Sequence, residues 1–190
     1  MNYEKIIIID TCTYFRLSKG LHPFLSNKIG KDNYTPCVLK DLNKDLKRNN
    51  NLKNKFAWIE EKEYINNREK NLFKKKSAIE NGIINNYKFI SMEASDNGIN
   101  LSDVDKNCIN YAYTYGSKLA TDDAGMILVC KEFGVQYFKT LDILYLLFDN
   151  KQITTSKLKS IIDFWYYLND LPGEFQKDFK NIFKKPYNEF

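Results

Sequence analysis

Carboxylate side chains stand at four places along this sequence where they could act together. Two of the places follow short apolar runs, KIIIID and KLAT, and two lie on predicted helices. Carboxylates gathered at one edge of a parallel sheet repel one another unless a cation neutralises them, and their hard oxygen atoms suit Mg²⁺ or Mn²⁺. The sequence therefore predicts a divalent metal site. Its candidate residues are Asp10, Asp41 or Asp45, Asp105, and the neighbouring pair Asp122 and Asp123.

Asp105, Asp122 and Asp123 also have a simpler structural interpretation as part of a helix start, and Asp41 and Asp45 have one as part of an ordinary solvated helix face. Ser102 and Asp105 have the spacing of a capping box, and Thr121 could cap a helix that carries Asp122 and Asp123 in its first turn. Asp105 nevertheless lies on the apolar stripe of its helix, which should face the sheet. The apolar stripes do not separate Asp122 from Asp123. Between Asp41 and Asp45, pattern alone leaves the choice open.

The elements that would position these acids alternate between strands and helices. KIIIID predicts a strand buried on both faces of a parallel sheet, with Thr11 as the possible cap of the next helix. From Ser102 onward the order is helix, strand, helix, strand, helix, which is typical of a parallel sheet between helical layers. We also expect a helix over about residues 36 to 48, begun by Pro36, and a short strand at YKFISM.

The chain of 190 residues predicts one domain with additions. Residues 1–150 would form the domain, with an inserted basic helical arm at about 46–87. Residues 151–190 would form a helical extension whose aromatic residues cover the core or a dimer contact.

Positive charge is concentrated in one part of the chain. The net charge is +5, and residues 40–88 hold 13 Lys and Arg against seven Asp and Glu. A local basic region suits a polyanion such as nucleic acid. The candidate substrate-binding residues are Lys53, Lys55, Arg68, Lys70, Lys74, Lys75 and Lys76.

The cysteines and the single histidine argue against other kinds of site. Four scattered cysteines with one histidine lack the ligand spacing of a zinc site, and they predict reduced thiols in a cytoplasmic protein. No apolar run approaches the roughly 18 residues of a membrane span, so we expect no membrane partner.

The combination of these pieces resembles the PIN-domain nuclease family, which includes VapC-type toxins and rRNA-maturation nucleases. The resemblance rests on IIIIDTC, TPCVLKDL, LSDVDKNCINYA and LATDDAGMILVCKEFGV, which together cover less than half of the chain. It assigns the acids of the site to Asp10, Asp41, Asp105 and Asp123, with Asp122 as a close neighbour. The helix acid of the family is usually Glu, so Asp41 departs from its pattern.

The resemblance implies a PIN-like α/β fold, a three-layer sandwich with a central parallel sheet of about five strands. It also implies a Mg²⁺- or Mn²⁺-dependent endoribonuclease that hydrolyses RNA phosphodiester bonds, with Asp10, Asp105, Asp122 and Asp123 near the metal. Thr11 and Thr121 would support the site. One form of this expectation is the toxin of a toxin–antitoxin or phage-defence system, with a cognate antitoxin as partner and a homodimer as assembly. The alternatives are a DNA or flap nuclease and a degenerate module that binds RNA or protein without cleavage.

Overall fold

A computed structural model of the protein describes residues 2–42, 54–76 and 80–190. In this part of the chain the strands are β1 (Ile6–Ile9), β2 (Thr35–Cys37), β3 (Lys118–Ala120) and β4 (Tyr137–Phe138). They form a parallel sheet in the order β2-β1-β3-β4. Ile8 of the central strand β1 pairs with Cys37 of β2 on one side and with Leu119 of β3 on the other.

Helices cover both faces of the sheet, so β1 is buried on both faces. The described helices are α1 (Thr11–Ser18), α2 (Lys62–Lys70), α3 (Glu80–Asp96), α4 (Asp103–Tyr115), α5 (Ala124–Glu132), α6 (Thr140–Asp149), α7 (Thr155–Tyr167) and α8 (Phe175–Phe183). Ile7 and Ile9 pack toward α1, α6, α7 and α8, whereas Ile6 and Ile8 pack toward α3, α4 and α5. The predicted α/β class is confirmed, with four strands in the described residues instead of about five.

The alternation predicted from Ser102 onward is confirmed by β3, β4 and the helices around them. Helix α4 begins and ends at the residues that the sequence predicts. Ser102 forms the predicted capping box with Asp105, and Gly116 ends the helix in the left-handed conformation. These local signals place Asp105 in the first turn of α4.

The predicted start of a helix at Pro36 is wrong, because Pro36 lies inside strand β2, and Leu42 is the first helical residue after that strand. Strand β2 is at the edge of the described sheet, where a residue without an N–H costs no ladder bond. Asp41 consequently lies in a turn after β2 and not on a long helix. Residues 43–48 of the predicted helix, Asp45 among them, fall outside the described residues.

The strand predicted at YKFISM is also wrong, because these residues form the middle of the 17-residue helix α3. Ile90 and Ala94 of this helix are buried against the α4 side of the core. The aromatic and β-branched residues that suggested a strand are therefore helical residues held by packing between helices.

The C-terminal segment, residues 151–190, packs its aromatic side chains onto the core. Trp165 and Phe179 are fully buried, whereas Tyr167 is 83% exposed. None of the described helices is long and apolar enough to cross a membrane. All four cysteines are free, and Cys37, Cys108 and Cys130 are buried.

Candidate acidic site at the carboxyl edge of the sheet

Asp10 follows the central strand and is almost completely buried. It is the N-cap of α1, so its Oδ1 accepts the N–H of Thr13 at 2.7 Å, a role that the sequence had suggested for Thr11. Burial raises the pKa of Asp10 to about 6, opposed by hydrogen bonds from Thr121 and Thr13, while the charge of Asp122 raises it further. A carboxylate in this position is costly to ionise unless a positive group approaches it.

Asp123 caps α5 in the same way, after strand β3. Its Oδ1 accepts the N–H of Met126 at 2.7 Å, and its own N–H donates to the hydroxyl of Thr121 at 3.1 Å. Thr121 is fully buried and hydrogen-bonds to Asp10. The helix cap predicted for Thr121 therefore belongs to Asp123, and Thr121 instead links Asp123 to Asp10.

Asp105 completes this group from the first turn of α4. Its Oδ2 accepts the N–H of Ser102 at 3.0 Å in the capping box. Burial raises the pKa of Asp105, hydrogen bonds from Ser102 oppose the shift, and the charge of Asp123 adds to it. Asp10, Asp105 and Asp123 thus stand at three helix starts, and we call them the capping acids.

Asp41 lies beside α4, because Asn107 donates its side-chain N–H to Oδ2 of Asp41 at 3.4 Å. Asp41 follows β2, so it lies at the carboxyl edge of the sheet, whereas Asn107 and Asp105, two residues apart, face different sides of α4. Thr11 is buried at the first position of α1. The structure therefore gathers Asp41 and Thr11 near this edge.

Asp122 is held by the guanidinium group of Arg16, although its charge also acts on Asp10. Its Oδ2 lies 2.7 Å from Nη1 of Arg16, and its Oδ1 accepts the N–H of Thr140 at 3.0 Å. The hydroxyl of Thr140 also donates to Asp122. Arg16 reaches Asp170 as well, with Nε 3.3 Å from Oδ2. We call Asp122 and Asp170 the paired acids.

Sequence reasoning missed the residues that organise this edge: Thr13, Arg16 and Thr140. Thr140 had a usable signal, since it opens the helix after β4 just as Asp10 follows β1 and Thr121 follows β3. Arg16 had none, because its two acidic partners are 106 and 154 residues away in sequence.

The basic residues predicted to bind substrate differ in their exposure and in their partners. Arg68 is buried, and its guanidinium donates to the carbonyl of Ile59 at 2.9 Å, so it is not a surface contact for substrate. Lys55 forms a salt bridge with Asp170 at 3.0 Å. Lys70, Lys74, Lys75 and Lys76 are exposed. Lys53 lies outside the described residues.

The capping acids fit a hydrated divalent cation better than a closed metal cage. No group of three His, Cys, Asp or Glu side chains within residues 2–42, 54–76 and 80–190 is placed to bind a metal directly. Mg²⁺, however, keeps several waters and is commonly held by only one or two carboxylates. The helix caps use Oδ2 of Asp105 and Oδ1 of Asp123, and they orient both carboxylates.

Comparisons of the chain with family models, with curated proteins and with solved structures give no match.

Proposed function

We propose that this protein is a metal-dependent phosphodiesterase that cleaves RNA at the carboxyl edge of its sheet. The observation that carries the proposal is the position of Asp10, a buried carboxylate at the end of the central strand with a pKa raised to about 6. Asp123 lies close enough to Asp105 for its charge to raise the pKa of Asp105. A divalent cation would supply the positive charge that favours the ionised form of these carboxylates.

In this proposal Asp10, Asp105 and Asp123 hold the cation, and Asp41 lies at the border of the site. The cation, when bound, lowers the pKa of a bound water and offsets negative charge on the phosphate. Neighbouring side chains of the protein orient the carboxylates. Thr121 hydrogen-bonds to Asp10 and accepts the N–H of Asp123, so one buried hydroxyl orients two of the acids. No side-chain nucleophile is needed.

Exposed lysines near the C-terminal half of α4 are the basic groups that an RNA substrate would meet. The ammonium group of Lys75 lies 4.6 Å from the ring centroid of Tyr111, and that of Lys76 lies 5.1 Å from the ring centroid of Tyr3. Tyr3 precedes β1, so these lysines lie toward the amino edge of the sheet and not beside the acids. In this proposal they bind a part of the RNA distant from the cleaved bond, and the affinity should fall steeply as salt concentration rises.

A second candidate function is a module that binds RNA or protein without cleaving it. The lack of a three-carboxylate metal cage within the described residues favours this candidate. It predicts RNA binding that is the same with and without a divalent cation.

The proposal is tested by incubating the purified protein with single-stranded RNA and, separately, single-stranded and flap DNA, in Mn²⁺ or Mg²⁺. We expect RNA cleavage that Asp10→Asn and Asp105→Asn each lower on the order of 100-fold or more, the scale for losing an electrostatic group at a reacting centre. The matched control is Asp103→Asn, since Asp103 is on the same helix turn but exposed and bonded to Tyr87.

Each other outcome assigns a different function. Cleavage that survives both substitutions would rule out the acidic site. Cleavage of DNA in preference to RNA would make the protein a DNA or flap nuclease. Tight RNA binding with no cleavage of any substrate would favour the binding module.

Growth arrest tests the toxin form of the proposal. We expect expression in a bacterial host to arrest growth, and Asp10→Asn to relieve the arrest. A cytoplasmic antitoxin would be the partner that restores growth when coexpressed. Equal growth with the wild-type and Asp10→Asn proteins would exclude toxicity.

A further inference from the structure

Arg16 joins two acids from distant parts of the chain. Its Nη1 is 2.7 Å from Oδ2 of Asp122, and its Nε is 3.3 Å from Oδ2 of Asp170 and donates to the Asp170 carbonyl at 3.0 Å. The side chains of Arg16 and Asp122 are only 13% and 9% exposed. The guanidinium group can serve both carboxylates because its donors form a planar fork, which the single ammonium of lysine does not offer.

The Asp122 carboxylate is fully engaged by this arrangement. Besides Arg16, it accepts the N–H and the hydroxyl of Thr140 at the start of α6. The turn from Thr121 to Asp123 is consequently fastened on one side to α1 and α6. Asp123, one residue on, is directed to the other side, where its charge acts on Asp105.

The C-terminal segment holds Arg16 in place. Asp170 lies between α7 and α8, and Trp165 of α7 donates its indole N–H to the Arg16 carbonyl at 2.8 Å. Lys55, from the residues before α2, forms a salt bridge with the other oxygen of Asp170 at 3.0 Å. Four charges therefore alternate in sign across four parts of the chain: Lys55, Asp170, Arg16 and Asp122.

We infer that the C-terminal segment controls the acidic site through Asp170 and Arg16, which are positioning residues for the turn that carries Asp123. Asp170 fixes Arg16, Arg16 holds the Asp122 carboxylate, and the turn leaves Asp123 where its charge acts on Asp105. Asp122 is then an anchor of the turn and not a metal ligand. The kinetic part of this inference rests on the proposed function, whereas the structural part does not.

The test compares Asp170→Asn with Asp178→Asn in the full chain. Asp178 is the matched control because it also belongs to the C-terminal segment and forms a 2.7 Å salt bridge, but with Lys139 and not with Arg16. Amide hydrogen exchange of residues 120–124 is measured first, without metal or substrate. RNA cleavage by both variants is measured second, with kcat and KM determined separately.

We expect Asp170→Asn to speed exchange in residues 120–124 about tenfold by easing local opening of the turn. In the same variant kcat should fall on the order of 10- to 100-fold with KM nearly unchanged, because displaced catalytic groups slow the reacting step. Asp178→Asn should leave the exchange rate of residues 120–124 and kcat unchanged, even if it lowers the melting temperature as much as Asp170→Asn does.

Three outcomes would overturn the inference. Unchanged exchange in Asp170→Asn shows that the turn does not depend on the C-terminal segment. Equal effects of Asp178→Asn show that the segment acts only through global stability. A raised KM with unchanged kcat assigns Asp170 to substrate binding. If the wild-type protein cleaves nothing, the proposed function fails, and the exchange comparison still decides the structural part.

Discussion

Two groups of aspartates at the carboxyl edge of the sheet balance their charge in opposite ways. The capping acids Asp10, Asp105 and Asp123 accept hydrogen bonds from backbone N–H groups and hydroxyls, and no described lysine or arginine forms a salt bridge with them. The paired acids Asp122 and Asp170 are held by Arg16, and Asp170 also by Lys55.

This difference separates acids that lack a basic partner among the described residues from acids that already have one. Backbone caps orient a carboxylate and favour its charged form, but they do not cancel its charge. An arginine within 3 Å does so, and an added metal gains little from such an acid. Asp122 and Asp123 are the same residue type at adjacent positions, and they differ in their partners, Arg16 for Asp122 and the N–H of Met126 for Asp123.

The largest effect should come from replacing Arg16, the positively charged side chain that pairs with Asp122 and Asp170. Arg16→Met leaves the Asp122 carboxylate almost buried and without its ion partner, so we expect the free energy of unfolding to fall by about 3–5 kcal/mol. Urea denaturation measures this loss. Lys139→Met breaks a more exposed pair with Asp178 and should cost about 1 kcal/mol or less. Equal small losses would show that Arg16 is not a structural partner of Asp122.

The second-largest effect should be the stabilisation of the folded state by a divalent metal ion that binds to the capping acids. At a free Mn²⁺ concentration 100 times its dissociation constant, we expect the folded state to gain about 2.7 kcal/mol. Thermal denaturation with and without Mn²⁺ measures the gain, which Asp105→Asn should abolish and Asp103→Asn should retain. Stabilisation that is equal in both variants would place the metal elsewhere.

Asp10 should give the protein a distinct dependence of stability on pH. Its folded-state pKa is raised from 3.8 to about 6, so the folded state holds this proton more tightly than the unfolded state. The stabilising contribution is complete below about pH 4 and is lost as pH rises through about 6, an effect on the order of 2 kcal/mol.

Urea denaturation of the wild-type and Asp10→Asn proteins between pH 4 and 7.5 isolates that contribution. Asparagine preserves the N-cap of α1 but does not titrate. The difference in unfolding free energy between the two proteins should therefore change across this range. A constant difference would show that the Asp10 pKa is not raised.

The smallest effect should come from the cap that orients Asp105. Ser102→Ala removes the side-chain acceptor for the Asp105 N–H and should lower the free energy of unfolding by about 1 kcal/mol. Ser102→Asp keeps an acceptor and should retain most of the stability in urea denaturation. An equal loss in both variants would mean that the serine is needed for another reason.

Sequence patterns predicted the part of the fold in which local signals and packing agree. Around α4 the Ser102 capping box and Gly116 mark the helix ends, and the structure uses both. At Pro36 the same helix-start rule failed, because an edge strand also accepts proline. At YKFISM the strand propensity was overridden by the packing of α3 on α4.

The candidate site was predictable to a similar extent. The rule that ligand sites lie at the carboxyl ends of parallel strands selected Asp10 and the pair Asp122 and Asp123, and the helix stripe selected Asp105. The rule gave no way to choose between Asp122 and Asp123, since the choice depends on Arg16, a residue more than 100 positions away. Contacts between distant segments are absent from any local pattern.

Titration of Mn²⁺ into the protein, followed by electron paramagnetic resonance of the free ion, tests the central claim most directly. The variants to compare are Asp123→Asn and Asp122→Asn, the same neutral substitution at adjacent residues. The account predicts that Asp123→Asn weakens Mn²⁺ binding about tenfold or more, while Asp122→Asn changes it no more than about threefold. Weaker binding in Asp122→Asn than in Asp123→Asn would contradict the account.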